Sequence, residues 1–155
     1  MKRSDTRVLR EKVHRLSEDE YYWVLMEPAW GERRSGTPGQ RVLASTTYFL
    51  RDVANGGLEQ ALWNFDAADV ALVLESLDKL GASGQAAAVR AAIELLLGKS
   101  PPESLERRRA LIDKRSRHWL DKNMEPLNEL LYDEARLWPH YQQYIEEHPS
   151  EFFRD

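Results

Sequence analysis

Asn55, Gly56 and Gly57 join two stretches of helical pattern, and this junction constrains the fold more than any other part of the chain. Glycine adopts a positive φ without a steric penalty, and asparagine is one of the few other residues that tolerate left-handed backbone. An Asn-Gly pair is typical of β-hairpins, but a hairpin requires alternating apolar residues on both sides. The flanks have helical spacing instead. The sequence therefore predicts a helix that ends at Asn55, followed by a sharp reversal of the chain.

Helical periodicity continues on both sides of this junction. Apolar residues recur every three or four positions over residues 38–54, 66–80 and 83–97. Three Ser or Thr residues precede a Glu or Gln by three positions, which is the spacing of a capping box that starts a helix. These residues are Ser17, Thr37 and Ser100. We therefore predict an all-α fold, a single compact domain of about seven or eight helices with the Asn-Gly-Gly reversal.

The ends of the chain are harder to interpret. Residues 1–16 are predicted to form a basic helical extension outside a main domain over residues 17–155. Residues 101–122 have the pattern of one long basic helix. Pro126 is predicted to interrupt the helical pattern shortly afterwards, because proline disfavours helix in the residue before it.

The composition excludes several kinds of site. The chain contains no cysteine, which excludes disulfides, thiolate catalysis and cysteine-ligated metal centres. No segment approaches the roughly 18 consecutive apolar residues that a membrane span needs, and the start of the chain lacks the apolar region of a secretory signal. We expect a cytoplasmic protein that does not associate with membranes.

The residues typical of catalysis and metal binding are not spaced as those functions need. No two histidines lie three or four positions apart, the spacing that places two ligands on one helical face. The chain has no phosphate-binding loop and no dinucleotide-binding glycine pattern. We expect a protein that is not an enzyme and that holds no metal and no cofactor.

Charge is distributed unevenly along the chain, although the net charge is only −4. Acidic residues are in excess over residues 59–98 and 124–155, and basic residues over 1–15 and 99–123. The basic run at residues 107–109 raises the question of nucleic-acid binding. Acidic residues in the same predicted helix and a pI of about 5.6 argue against it.

The acidic segments allow two interpretations. They are either solvated helix faces that pair with basic segments, or part of a surface that binds another protein. Their charge and predicted exposure indicate seven candidate partner-binding residues. These are Glu59, Asp66, Asp69, Glu75, Asp78, Asp133 and Glu134.

Several short motifs give a resemblance to a known family. They are Tyr48-Phe49-Leu50, Val53, Asn55-Gly56-Gly57-Leu58, Gln60, Asn64, Leu80-Gly81, Ala91-Ala92 and Leu95. This set resembles a bacterial all-helical family that includes a DNA-mimic protein. The similarity extends from about residue 23 to residue 153 and is most specific over residues 48–98. Leu58 departs from the pattern, since family members usually carry an aromatic residue there.

The resemblance implies an α-helical fold and, for the DNA mimic, an acidic surface that occupies the DNA-binding site of a transcription factor. The partner expected for this chain is accordingly another protein, either a DNA-binding regulator or a basic toxin that the chain inhibits as an immunity protein. Formation of a homodimer is compatible with either partner.

A third alternative is an enzyme or small-ligand site at the junction, formed by Asn55, Gln60 and Asn64. The structural interpretation of the same region is favoured. In that interpretation Asn55, Gly56, Gly57, Gln60 and Asn64 shape the reversal, and the amides bond to nearby backbone groups.

Overall fold

The computed structural model of the protein describes residues 4–31 and 35–155. The described residues contain eight α-helices. These are α1 (Glu18–Met26), α2 (Pro38–Asn64), α3 (Ala67–Lys79), α4 (Ser83–Leu97), α5 (Leu105–Asp113), α6 (Arg117–Asn128), α7 (Trp138–Glu147) and α8 (Pro149–Phe152). The prediction of an all-α fold in a single compact domain is confirmed.

Helix α2 lies at the centre of the fold. It contacts α1, α3, α4, α5, α6 and α8. Its core-facing side chains Leu43, Phe49 and Leu62 are fully buried. Each side chain of this size contributes about 1.5–3 kcal/mol through removal of apolar surface from water. The other helices therefore pack around α2 rather than against one another alone.

The core also contains a buried cluster of hydroxyl groups. Tyr141 on α7 lies 2.7 Å from the hydroxyl oxygens of both Thr46 and Thr47 on α2. The Thr46 hydroxyl also donates to the backbone of its own helix. Burial raises the pKa of Tyr141 to about 12, although its bonds to the two threonines act in the opposite direction. The tyrosine therefore stays neutral and its hydrogen bonds hold α7 against α2.

Two of the three predicted capping boxes are confirmed. Ser17 begins α1 and exchanges hydrogen bonds with Glu20, and Thr37 begins α2 in the same way with Gln40. The third is wrong, because the residues that follow Ser100 are not helical. Helix α5 instead begins after Ser104, whose side chain accepts a hydrogen bond from the backbone N–H of Arg107.

The single long helix predicted over residues 101–122 is divided into α5 and α6. Ser116 caps the start of α6, where its side chain accepts from the Trp119 backbone. The interruption predicted at Pro126 does not occur, because Pro126 lies inside α6. Packing explains the difference: α6 buries Leu120 and Met124 in the core, which outweighs the hydrogen bond that proline cannot donate.

The two ends of the described chain lie side by side. Strand β1 (Val8–Leu9) pairs in parallel with strand β2 (Phe153–Arg154), and a 3-10 turn over Arg10–Lys12 follows β1. The side chain of Gln40 donates to the backbone oxygen of Thr6. The division at residue 16 stays a prediction. Where the structure describes it, that segment forms a strand and a 3-10 turn bonded to the helical body.

None of the described helices combines the length and the apolar character needed to cross a membrane.

Candidate functional site

The Asn-Gly-Gly junction is a kink within α2. Gly56 and Gly57 depart from helical geometry, with φ −153° and ψ 16° at the first and φ 82° and ψ 174° at the second. The conformation of Gly57 is accessible essentially only to glycine. A Cβ atom at this position would also lie 2.5 Å from Oε2 of Glu59. The backbone conformation therefore requires glycine, and a side chain here would also have to displace the Glu59 carboxylate.

One carboxylate spans the kink. Asp52 accepts hydrogen bonds from the amide groups of Gln60, at 3.0 Å, and Asn64, at 2.9 Å. In a straight helix these residues would lie about 12 and 18 Å further along the axis, beyond the reach of the Asp52 side chain. The axis therefore bends sharply at the glycines. A complete reversal of the chain is not shown and stays a prediction.

The amides of this motif bond differently from expectation. Gln60 and Asn64 donate to the Asp52 side chain, whereas the sequence suggested backbone partners. A backbone partner is provided from another helix: Asn128 on α6 accepts a 2.8 Å hydrogen bond from the N–H of Leu58. Asn128 is almost fully buried. The segment after the kink is thus attached to α6 by one buried side chain.

A cleft of about 980 Å³ lies beside the kink. Its floor is one face of α2, formed by residues spaced three or four apart. These are Arg41, Ala44, Ser45, Tyr48, Arg51, Asp52 and Asn55. Trp30, Phe65, Asp69 and Leu72 also line it. Asn55 and Asn64 of the predicted polar pocket line this cleft, whereas Gln60 is not among its lining residues.

Aromatic side chains form the middle of the cleft. The ring of Tyr48 meets Trp30 edge-on at 5.2 Å and lies 5.6 Å from Phe65. Tyr48 is 45% exposed, which is unusual for a large aromatic side chain surrounded by others. The guanidinium of Arg51 stacks over Trp30 and forms an ion pair with Glu134 at 3.3 Å. An apolar surface is therefore open to solvent between charged groups.

Arg41 lies at one end of the cleft floor. Its Nε atom is buried and has no hydrogen-bond partner. Within residues 4–31 and 35–155, its guanidinium makes no hydrogen bond and no ion pair. Three other described side chains also have one buried atom without a partner, namely Glu59, Arg108 and Glu151. Two of them use another atom, because Arg108 donates to the oxygen of Pro102 and Glu59 accepts from Arg117. Arg41 is therefore a half-buried arginine whose Nε–H has no acceptor among the described residues.

The seven predicted partner-binding residues differ in their local partners. Four form ion pairs: Glu59 with Arg117 at 2.9 Å, Glu75 with Lys79 at 3.1 Å, Asp78 with Arg90 at 2.6 Å, and Glu134 with Arg51. Asp66 and Asp133 accept hydrogen bonds from the backbone at the starts of helical turns. Asp69 lines the cleft. Their role in partner binding stays a prediction.

A different group of carboxylates converges on the outer surface of α1 and α7. We call it the acidic rim, and it consists of Glu18, Asp19, Glu20, Glu134 and Glu146. Asp19, Glu20 and Glu134 line a depression of about 300 Å³ over Tyr22 and Trp138. Burial and then the carboxylates of Glu18 and Glu146 raise the pKa of Tyr22, which reaches about 12. Arg51 lines the same depression, so these carboxylates surround one basic side chain.

Two arginines lie close to the acidic rim. Arg51 pairs with Glu134, and Arg10 pairs with Asp155 at 3.1 Å. Burial raises the pKa of Tyr21, and the charge of Arg10 acts in the opposite direction. Of the five rim residues, only Glu134 was predicted from the sequence. The three acidic residues in the first turn of α1 are visible in the sequence as a helix start. Their proximity to Glu134 and Glu146 results from the fold.

Comparison with known proteins gives one match. A family model described as DMP19-like protein matches residues 34–148. The chain belongs to the DMP19-like family. No curated protein and no solved structure was found to match it.

The DMP19-like family is a family of DNA mimics and is not an enzyme family. The resemblance inferred from the motifs around the kink is therefore confirmed. The described part of the chain contains no group of three or more His, Asp or Glu residues that could hold a metal ion.

Proposed function

We propose that this protein is a non-enzymatic protein-binding module, and specifically a DNA mimic that occupies the DNA-binding site of a transcription factor. Membership of the DMP19-like family over residues 34–148 is the observation that carries this proposal. The partner is a protein with a basic DNA-binding surface.

Carboxylates on a protein can take the place of phosphates because both are anionic hydrogen-bond acceptors. Duplex DNA carries about one negative charge per 1.7 Å of helix axis, so a mimic needs several carboxylates on one surface. The acidic rim offers five, from α1, from the 3-10 turn Glu134–Leu137 and from α7. Of these five, only Glu134 forms an ion pair within residues 4–31 and 35–155, whereas Glu75 and Asp78 on α3 are each paired with a basic side chain. We therefore place the mimic surface at the acidic rim, with Asp133 beside it.

The first experiment uses the full-length tagged protein as bait in a native lysate, followed by elution with duplex DNA. A partner bound through its DNA-binding site is released when duplex DNA competes for that site. Release by increasing salt is also expected, because attraction between exposed charges is screened over about 10 Å at 0.1 M salt. A captured protein that neither duplex DNA nor salt releases would contradict the proposal.

Charge-matched variants locate the surface. The double variant Glu18→Gln with Glu146→Gln removes two rim carboxylates, and the control Glu75→Gln with Asp78→Asn removes two from α3. We expect the rim variant to bind the captured partner about tenfold more weakly and the control to bind it with nearly unchanged affinity. The reverse result would move the mimic surface to α3.

The same captured partner distinguishes the immunity-type alternative. A transcription factor retains sequence-specific DNA binding after elution, whereas a basic toxin with nuclease activity degrades the eluting DNA. Light scattering of the purified protein measures whether it is a homodimer or a monomer.

A further inference from the structure

We infer that the cleft beside the kink is a binding site for a small aromatic anion, in which Arg41 holds the anionic group and the aromatic side chains contact the ring. This site is separate from the acidic rim and goes beyond the proposed protein-binding function.

The size and composition of the cleft fit a small molecule. A volume of about 980 Å³ is sufficient for a ligand of nucleotide size. Ligand sites of this kind combine apolar walls with a few placed polar groups. Here Trp30, Tyr48 and Phe65 supply the apolar walls, and the small residues Ala44 and Ser45 leave space on the floor.

Arg41 indicates the charge of the ligand. The Nε–H group of Arg41 is buried and no described residue accepts a hydrogen bond from it, which is unfavourable for a polar group removed from water. The buried side chains of Tyr141 and Asn128, by comparison, have their hydrogen-bond partners. A guanidinium also binds carboxylates and phosphates with two parallel hydrogen bonds. A bound anion would therefore satisfy a group that the fold leaves unsatisfied.

The acidic residues of the cleft lie away from Arg41. Asp52 is eleven residues further along α2, about 16 Å at the rise of a helix, and its carboxylate is held by Gln60 and Asn64. Ser45 contacts Ser76 on α3 at 3.0 Å, and Asp69 lies about 10 Å from Ser76 along α3. Because α3 connects to the end of α2, Asp69 lies towards the Asp52 end. The Arg41 end is therefore the positive end of the cleft.

Tyr48 lies between the two ends. It is seven residues from Arg41, about 10 Å along α2, and the length of the arginine side chain shortens the distance that a ligand must span. A ring over Tyr48 joined to an anionic group by a short linker, such as one methylene or a ribose, matches this separation. Carboxylate and phosphate share this chemistry, so both are tested.

The experiment is isothermal titration calorimetry of the full-length protein with two probes, indole-3-acetate and adenosine 5′-monophosphate. Each is compared with its uncharged counterpart, indole-3-acetamide or adenosine. We expect saturable binding of at least one anion with Kd below about 1 mM, and at least tenfold weaker binding of the counterpart. The anion that binds more tightly identifies a carboxylate or a phosphate as the preferred group.

Variants connect the binding to the named residues. Arg41→Gln should weaken binding of the anion about tenfold or more and leave binding of the uncharged counterpart nearly unchanged. Arg107→Gln, on the exposed part of α5, is the matched control and should behave as the wild type. Tyr48→Leu should weaken both members of a probe pair, and it provides a second test if Arg41→Gln does not fold.

Three results would overturn the inference. The first is no saturable binding of either anion up to about 1 mM. The second is equal affinity for an anion and its uncharged counterpart. The third is binding that folded Arg41→Gln and Tyr48→Leu variants both retain at the wild-type affinity.

Discussion

The polar groups on the two faces of α2 differ in whether they have hydrogen-bond partners. On the core face, the hydroxyls of Thr46 and Thr47 are bonded to Tyr141, and none of them is left without a partner. On the cleft face, Arg41 has no partner in the described chain, and Tyr48 is 45% exposed. The core face is therefore complete within the protein, whereas the cleft face has unmet bonding capacity. This difference separates residues that maintain the fold from residues available for a ligand.

The adjacent residues Phe49 and Tyr48 test this comparison most strongly. Phe49→Ala should lower the free energy of unfolding by about 3–5 kcal/mol, because Phe49 is fully buried and its removal leaves a cavity. Tyr48→Ala should cost only about 1 kcal/mol, through lost contacts with neighbouring rings. Urea denaturation followed by circular dichroism measures both. Equal losses would show that the cleft face is as important to stability as the core face.

The kink gives the next largest expected effect. Gly57→Ala should lower the free energy of unfolding by about 3 kcal/mol, since the residue has φ 82° and ψ 174° and a Cβ would overlap Glu59. Gly84→Ala is the matched control: Gly84 lies in α4 and a Cβ there meets nothing within 4 Å. The control should be stabilised by about 0.5–1 kcal/mol. A Gly57→Ala variant as stable as the wild type would show that the kink accommodates a side chain.

Two asparagines near the kink sharpen the comparison further. Asn128→Ala should cost about 1–3 kcal/mol, because it leaves the buried N–H of Leu58 without an acceptor. Asn64→Ala removes an exposed amide that bonds Asp52 and should cost less than about 0.5 kcal/mol. Thermal or urea unfolding compares the two variants directly. If Asn64→Ala is the more damaging, the Asp52 interactions rather than the α6 attachment stabilise the bend.

Local sequence signals predicted the fold better than they predicted the site. The all-α class and the starts of α1 and α2 followed from apolar spacing and from the caps Ser17 and Thr37, which act within a few residues. The helix through Pro126 was not predictable in this way. It depends on burial of Leu120 and Met124 against distant helices, and that packing outweighs the local preference.

The candidate sites depend on contacts between distant residues. The junction motif indicated Asn55, Gln60 and Asn64, but the Asp52 carboxylate that binds two of these amides was not singled out. The sequence predicted that acidic residues are exposed but did not predict their individual ion pairs, such as Asp78 with Arg90. A partner on another helix leaves no local pattern in the sequence. The absence of a partner for Arg41 is likewise visible only when the surrounding helices are in place.

The smallest expected effect concerns Asp78 and Arg90, an exposed pair joining α3 to α4. Hydrogen bonds from Arg90 hold the pKa of Asp78 below its ordinary value of 3.8. A carboxyl whose pKa is lower in the folded state contributes stability above its unfolded pKa, and this stability is lost as the pH falls through the folded pKa. Wild type should therefore be slightly more resistant to urea than Asp78→Asn at neutral pH. The two should converge at about pH 2.

Glu94→Gln on α4 is the control for this pH dependence, because Glu94 is exposed and forms no ion pair within the described residues. Its urea midpoint should follow that of the wild type at every pH. A difference between wild type and Asp78→Asn that persists in acid would show that the aspartate acts through packing rather than charge. If the difference disappears as expected, the pair is a solvated surface contact. Loss of the Asp78–Arg90 pair would then leave both faces of α2 unchanged, and Asp78 would belong to neither the core nor the cleft.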